Sequence, residues 1–116
     1  MEEMMRKFVT VALVVLFALP AIALAETFKN VSVVDVNCSQ KVGANPDAHA
    51  RSCALQCQKS GYGIWTADHK FLKLDAAGNA KVIEQLKNSN AKDHLRVDVT
   101  GDVQGDTLKV DSIKLL

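Results

Sequence analysis

Four residues of this chain have the atoms and spacing that metal or thiol chemistry needs: Cys38, His49, Cys53 and Cys57. They include all three cysteines of the sequence and one of its three histidines. Thiolate and imidazole are ligands for borderline and soft ions, and a Cys3His set suits tetrahedral Zn(II) or Cu(I). The last three residues form H-x3-C-x3-C. On an α-helix, steps of four advance only about 40° each, so a helix here would carry the three side chains on one face. That stripe would be about 12 Å long, too long for His49 and Cys57 to share one ion on a straight helix. Cys38 with Cys53 and Cys57, or Cys38 with His49 and Cys53, makes an easier site.

Two other uses of these thiols compete with metal capture. In an oxidising compartment a disulfide from Cys38 to Cys53 or Cys57 is common usage. Closing a loop of roughly 15–20 residues this way stabilises by about 3 kcal/mol. A Cys53–Cys57 bridge within one regular helix would be strained. Any single disulfide leaves one thiol over, which favours metal binding or thiol redox chemistry for the set. Against metal, the spacing matches no standard zinc-finger pattern. Other reaction chemistry has no signature: C-x-x-C-H, a glycine-rich phosphate loop and G-x-S-x-G are all missing. The expectation is a non-enzymatic protein, with thiol redox activity left open. His69 and His94 read as surface residues, Trp65 as core, and Asp35, Asp68 and Asp75 as strand-end and turn residues.

The elements that must position the cluster follow from pattern. Residues 26–37 read as a strand whose apolar phase changes, with Val31 and Val33 on one face and Val34 and Val36 on the other. That change predicts a bulge or strong coiling, as in a strand serving two sides of a barrel. Asn45-Pro46-Asp47 predicts a helix start, running through His49, Cys53 and Cys57 to a stop at Gly61. Residues 62–66 and 71–74 read as a hairpin around residues 67–70. Residues 75–88 carry the helical stripe Val82, Ile83 and Leu86. Leu95, Val97 and Val99 alternate with polar residues as a half-buried strand. Residues 101–106 read as a turn, and a last strand from Leu108 changes phase before Ile113. The predicted class is mostly β with two helices (α+β). The architecture is a small OB-like five-stranded barrel, with a Cys/His-bearing helix inserted between strands 1 and 2. An open antiparallel sheet with two helices on one face is the alternative.

The N-terminus predicts export. Arg6 and Lys7 precede an uncharged apolar run from Phe8 to Leu19, and Ala23-Leu24-Ala25 has the small-x-small form of a cleavage site. The run is well short of the roughly 20 residues that span a bilayer. Residues 1–25 therefore read as a signal peptide and residues 26–116 as a single domain, periplasmic or secreted, with no membrane partner after cleavage. Glu2 and Glu3 are unusual before such a run, so Met4 or Met5 competes with Met1 as the start. Removing 25 of 116 residues leaves 91, and the 14 basic and 13 acidic residues become 12 and 11. Near-balanced charge argues against a nucleic-acid or anionic-membrane partner and leaves a protein or small ligand.

Taken together, Asp35-x2-Cys38, His49-x3-Cys53-x3-Cys57-x3-Gly61, and the closing Val99-x-Gly101 and Gly105-Asp106-x-Leu108-x-Val110-x-Ser112-Ile113 have a familiar form. The order resembles a group of small exported bacterial proteins of unknown function, across nearly all of the mature chain. The resemblance implies an OB-like barrel outside the cytoplasm with the Cys/His set as its distinguishing feature. Members often have an aromatic residue in the strand before the Asp; residues 31–34 here have none. The functional expectation is a domain whose cluster binds Zn or Cu(I) or acts as a thiol site. Its rival is a disulfide-stapled structural or interaction module.

Overall fold

The computed structural model describes residues 25–116. The expected signal peptide therefore lies outside the described residues, Ala25 excepted. Five strands form a closed barrel: β1 (Glu26–Asp35), β2 (Tyr62–Trp65), β3 (Phe71–Leu74), β4 (Arg96–Gln104) and β5 (Thr107–Leu115). Their order around the barrel is β1-β2-β3-β5-β4. The β3–β5 pair is parallel and every other pair is antiparallel. Two α-helices accompany the barrel: α1 (Arg51–Gln56) between β1 and β2, and α2 (Ala76–Lys87) between β3 and β4. The fold is thus mostly β, with a closed barrel and two helices, and not an open sheet.

The phase changes in the sequence have a structural cause. In β1 the register with β4 shifts between Phe28 and Val31, where Asn30 adopts a left-handed φ of 52°; this bulge lies ahead of the Val33–Val34 phase change, which reflects burial of both faces instead. Beyond that bulge β1 pairs with β2 on one side and β4 on the other, and residues 31–35 are buried on both faces. The inward face meets the barrel core of Val33, Ile64, Val97, Val99 and Leu108. The outward face is covered by the β1–β2 connection, whose Asp47 accepts from Ser32 Oγ. In β5 a shift at Thr100/Gly101 of β4 leaves Asp111 unpaired between Val110 and Ser112, so Val110 and Ile113 both turn inward. Gly101 therefore sits inside β4, not in the turn expected at residues 101–106. The chain reverses later, at Gly105 and Asp106, between the two strands.

α2 forms where its stripe predicts, and Asp75, expected at a strand end or turn, caps it. Asp75 is the N-cap and its Oδ1 accepts from Gly78 N at 3.0 Å. The same oxygen accepts from Val110 N at 3.3 Å, fastening the helix start to β5. Val82 and Leu86 are buried. Gly78 lets the helix lie close on the barrel, since a Cβ there would come within 2.5 Å of Val110 Cγ2.

The expected helix over residues 45–61 breaks into pieces. A 3-10 turn at Pro46–Ala48 is followed by extended backbone at His49 (φ −72°, ψ 123°) and Ala50 (φ −76°, ψ 144°). Then come the six residues of α1 and a second 3-10 turn, Gln58–Ser60, closed by Gly61 at φ 78°. Asn45 makes no side-chain cap, and a helix this short does not sustain itself. Tertiary contacts decide the path. Asp47 is taken by Arg96, with Nε to Oδ1 at 2.9 Å and Nη2 to Oδ2 at 2.7 Å. Arg51 bonds the Ala91 and Leu86 carbonyls from its side chain. His49 is drawn inward between these anchors.

Substituting Gly78→Ala should lower unfolding stability by about 1–3 kcal/mol, because the overlap with Val110 outweighs the gain of up to about 1 kcal/mol in helix propensity. Urea unfolding would measure it; equal or higher stability would show that α2 has room to retreat from β5.

Candidate metal centre

The centre begins where β1 ends. Asp35 is fully buried, and its Oδ2 accepts from Cys38 N at 2.9 Å, capping the 3-10 turn Val36–Cys38. An Asp-x2-Cys spacing makes this possible, because an N-cap side chain bonds the amide two or three residues on. The turn folds the Cys38 side chain back toward the carboxylate. The other oxygen, Oδ1, lies 2.6 Å from His49 Nε2, and His49 is itself only 7% exposed. One ligand atom each from Asp35, Cys38 and His49 lie within 4.8 Å of one another. The trio is thus an oxygen, a sulfur and a nitrogen donor, with Cys38 half-buried at its open side.

The surroundings set the thiol's chemistry. Burial, the Asp35 charge and a hydrogen bond to that carboxylate push the Cys38 thiol above its ordinary value, with Cys57 adding to the push and the smaller effect of Lys41 opposing it. This is the reverse of an activated nucleophile, which needs a positive neighbour to favour thiolate. A cation seated among the three donors would cancel the repulsion. Tyr62 is pushed up to about 12, chiefly by burial and then by Asp35 and Cys57, so it stays neutral. Its hydroxyl donates to the Ala54 carbonyl at 2.8 Å, holding α1 over β2.

Of the four residues expected to act together, the structure brings Cys38 and His49 into one group. Cys57 is half-buried nearby and its Sγ accepts from Asn37 Nδ2 at 3.6 Å, outside the trio. Cys53 is exposed on α1. The stripe of His49, Cys53 and Cys57 does not exist, because His49 precedes the helix in extended backbone and Cys57 ends it at φ −98°, ψ 20°. All three thiols are free. The residue missed from the sequence is Asp35, read there as a strand-end acid. Its signal was the three-residue step to Cys38.

His69 and His94 are exposed. Trp65, expected in the core, is only half-buried, stacked on His69 with ring centroids 4.7 Å apart. Comparison with known proteins finds no matching family model, no matching curated protein and no matching solved structure. The site is therefore read from its own geometry.

The Asp47–Arg96 pair holds the segment that carries His49, and its pH behaviour follows from charge. Arg96 holds the Asp47 carboxyl below the usual range, through its hydrogen bonds first and its charge second, against desolvation. A lowered folded pKa adds stability that is complete above the unfolded value of about 3.9 and is lost as pH falls through the folded value. Arg96→Met should cost about 1 kcal/mol at neutral pH, modest because both groups keep contact with water. It should also flatten the stability profile below about pH 4. Thermal melts across pH would check both; an unchanged acid limb would place that sensitivity in other carboxylates.

Proposed function

We propose that this chain is an exported, OB-like barrel protein that captures a divalent ion of the zinc class between Asp35, Cys38 and His49 and performs no catalysis on it. The carrying observation is the convergence of three different donor atoms within 4.8 Å, two of them on buried residues. The oxygen donor favours Zn(II) over Cu(I), which prefers all-sulfur or imidazole surroundings. The fourth position falls to water or to Cys57, whose side chain already bears on the Cys38 thiol. The OB-like assignment is supported by the strand order and by α2 between β3 and β4. Export is supported by the basic start, the short apolar run and the Ala-x-Ala site.

The charge environment of Cys38 weighs against a thiol enzyme. A thiol pressed against a carboxylate is slow to ionise and so slow to attack. Metal binding, by contrast, displaces that proton, so apparent affinity should rise with pH through neutrality.

The test is zinc binding by the mature, reduced protein in competition with a chromophoric chelator, with Co(II) as spectroscopic probe. Wild type should bind one equivalent and show a thiolate-to-cobalt charge-transfer band. Cys38→Ser should abolish the band, and His49→Ala should weaken zinc by more than the ~10–100-fold that loss of an outer partner costs. Cys53→Ser should bind as wild type. Intact mass of the periplasmic protein should begin at Glu26. A wild type that binds no metal when reduced, or binding that survives both Cys38→Ser and His49→Ala, would overturn the assignment. A periplasmic mass lower by two hydrogens would favour the disulfide-stapled module.

A further inference from the structure

A second polar feature lies beside the β1 bulge. A cleft of about 240 Å³ opens between that bulge, the β2–β3 hairpin and the start of β4, lined in part by Asn30, Trp65, His69 and Arg96. Its aromatic part is Trp65 stacked on His69 with the rings inclined at 22°. The two rings cover each other, so they make one platform and not a slot for a flat ring. The charges around the cleft are spent within the protein. Lys29 pairs with Asp98 at 3.8 Å, and Asp47 holds Arg96 through two hydrogen bonds. A balance of this kind selects neither an anion nor a cation.

Hydrogen-bonding capacity is left over. Arg96 donates from Nη1 to the Asn30 carbonyl and from Nη2 to Asp47, and each of these nitrogens carries a second N–H. The Asn30 amide N–H donates to Asp98 and its carbonyl accepts from Arg96. Those bonds fix the backbone and leave the exposed side-chain amide at the cleft, a donor and an acceptor in one plane. The Trp65 indole N–H is the one buried side-chain polar atom without a partner among the described residues. A buried donor of that kind is costly until it finds an acceptor.

We propose that this cleft binds a single neutral sugar ring in its pyranose form. The C–H face of the ring lies on the Trp65–His69 platform, because polarised C–H bonds suit the negative face of an aromatic ring. The hydroxyls, each both donor and acceptor, meet the Asn30 amide and the second N–H groups of Arg96. One sugar oxygen takes the Trp65 N–H with a small shift of the overlying His69 ring. Ligand sites commonly enclose about 300–1,000 Å³, so this smaller cleft admits one ring. No residue of the metal centre lines it, and binding needs no metal.

The protein has one tryptophan, so its intrinsic fluorescence reads the platform directly. The experiment titrates the mature protein with the methyl glycosides of glucose, galactose and mannose, following fluorescence and the backbone amide NMR shifts of Asn30, Thr66 and His69. At least one glycoside should give a saturable change at both readouts, and added salt should leave its affinity within about twofold. Three controls each lack part of the match: glycerol the ring face, cyclohexanol the array of hydroxyls, benzamide both. Each should bind at least about fivefold more weakly. Asn30→Gly suits the left-handed φ of 52° and removes the amide, so it should keep the fold and weaken the glycoside about fivefold. Absence of a saturable change with all three glycosides would overturn the proposal. So would equal binding of any control, affinity that collapses with salt, or binding indifferent to Asn30→Gly.

Discussion

The arrangement turns on one buried carboxylate. Asp35 has no exposure to solvent, and a buried carboxylate is tolerable only when its oxygens are fully engaged. One oxygen is met locally by the Cys38 amide, and the other by His49, fourteen residues on. The local bond forms with the turn that follows β1. The distant one requires the whole β1–β2 connection to fold back over the strand. The connection is therefore not a decorative insertion. Removing it would strand an acid at the end of a barrel strand.

That need explains why the connection is broken where local preference would make it continuous. Cap and propensity effects are worth about 0.5–2 kcal/mol at most. Ion pairs and charged hydrogen bonds at partly or fully buried positions are worth at least as much, and here they are several. Asp47 reaches Arg96, Arg51 reaches the α2–β4 connection, and Tyr62 holds the Ala54 carbonyl. Fixed at these points, the chain runs extended at His49 and Ala50, between the 3-10 turn and α1, and His49 faces inward as a result. The same anchors cover the outer face of β1, which is why Ser32 and Val34 are buried alongside Val31 and Val33.

The two polar regions of the molecule differ in electrostatic character. Around Cys38 the charges of Asp35 and Cys57 oppose the thiolate more than Lys41 supports it, which favours a cation there. Around Trp65 the cations Lys29 and Arg96 are each met by a carboxylate, Asp98 and Asp47. The β1–β2 connection serves both, with Asp47 taken by Arg96 and His49 by Asp35.

Much of the barrel was legible in the sequence because its cause is local. Alternation at Leu95, Val97 and Val99 marks a half-buried strand, and the Val82–Leu86 stripe marks a helix, though not that Asp75 would cap it. The phase change in β1 marked a strand end buried on both faces, and the Cys/His spacing directed attention to Cys38 and His49. The sequence could not order that cluster, because the partners are chosen across distances no local pattern encodes. Asp35 looked like any strand-end acid until the fold buried it. Asp47 looked like a helix-start acid until Arg96, forty-nine positions away, claimed it. Sequence alone determined which segments would be strands and which residue types were available for chemistry. Tertiary structure alone decided that His49 would leave the cysteine stripe for Asp35. The reason is physical: satisfying a buried charge outweighs the fractions of a kcal/mol by which a short peptide prefers to stay helical.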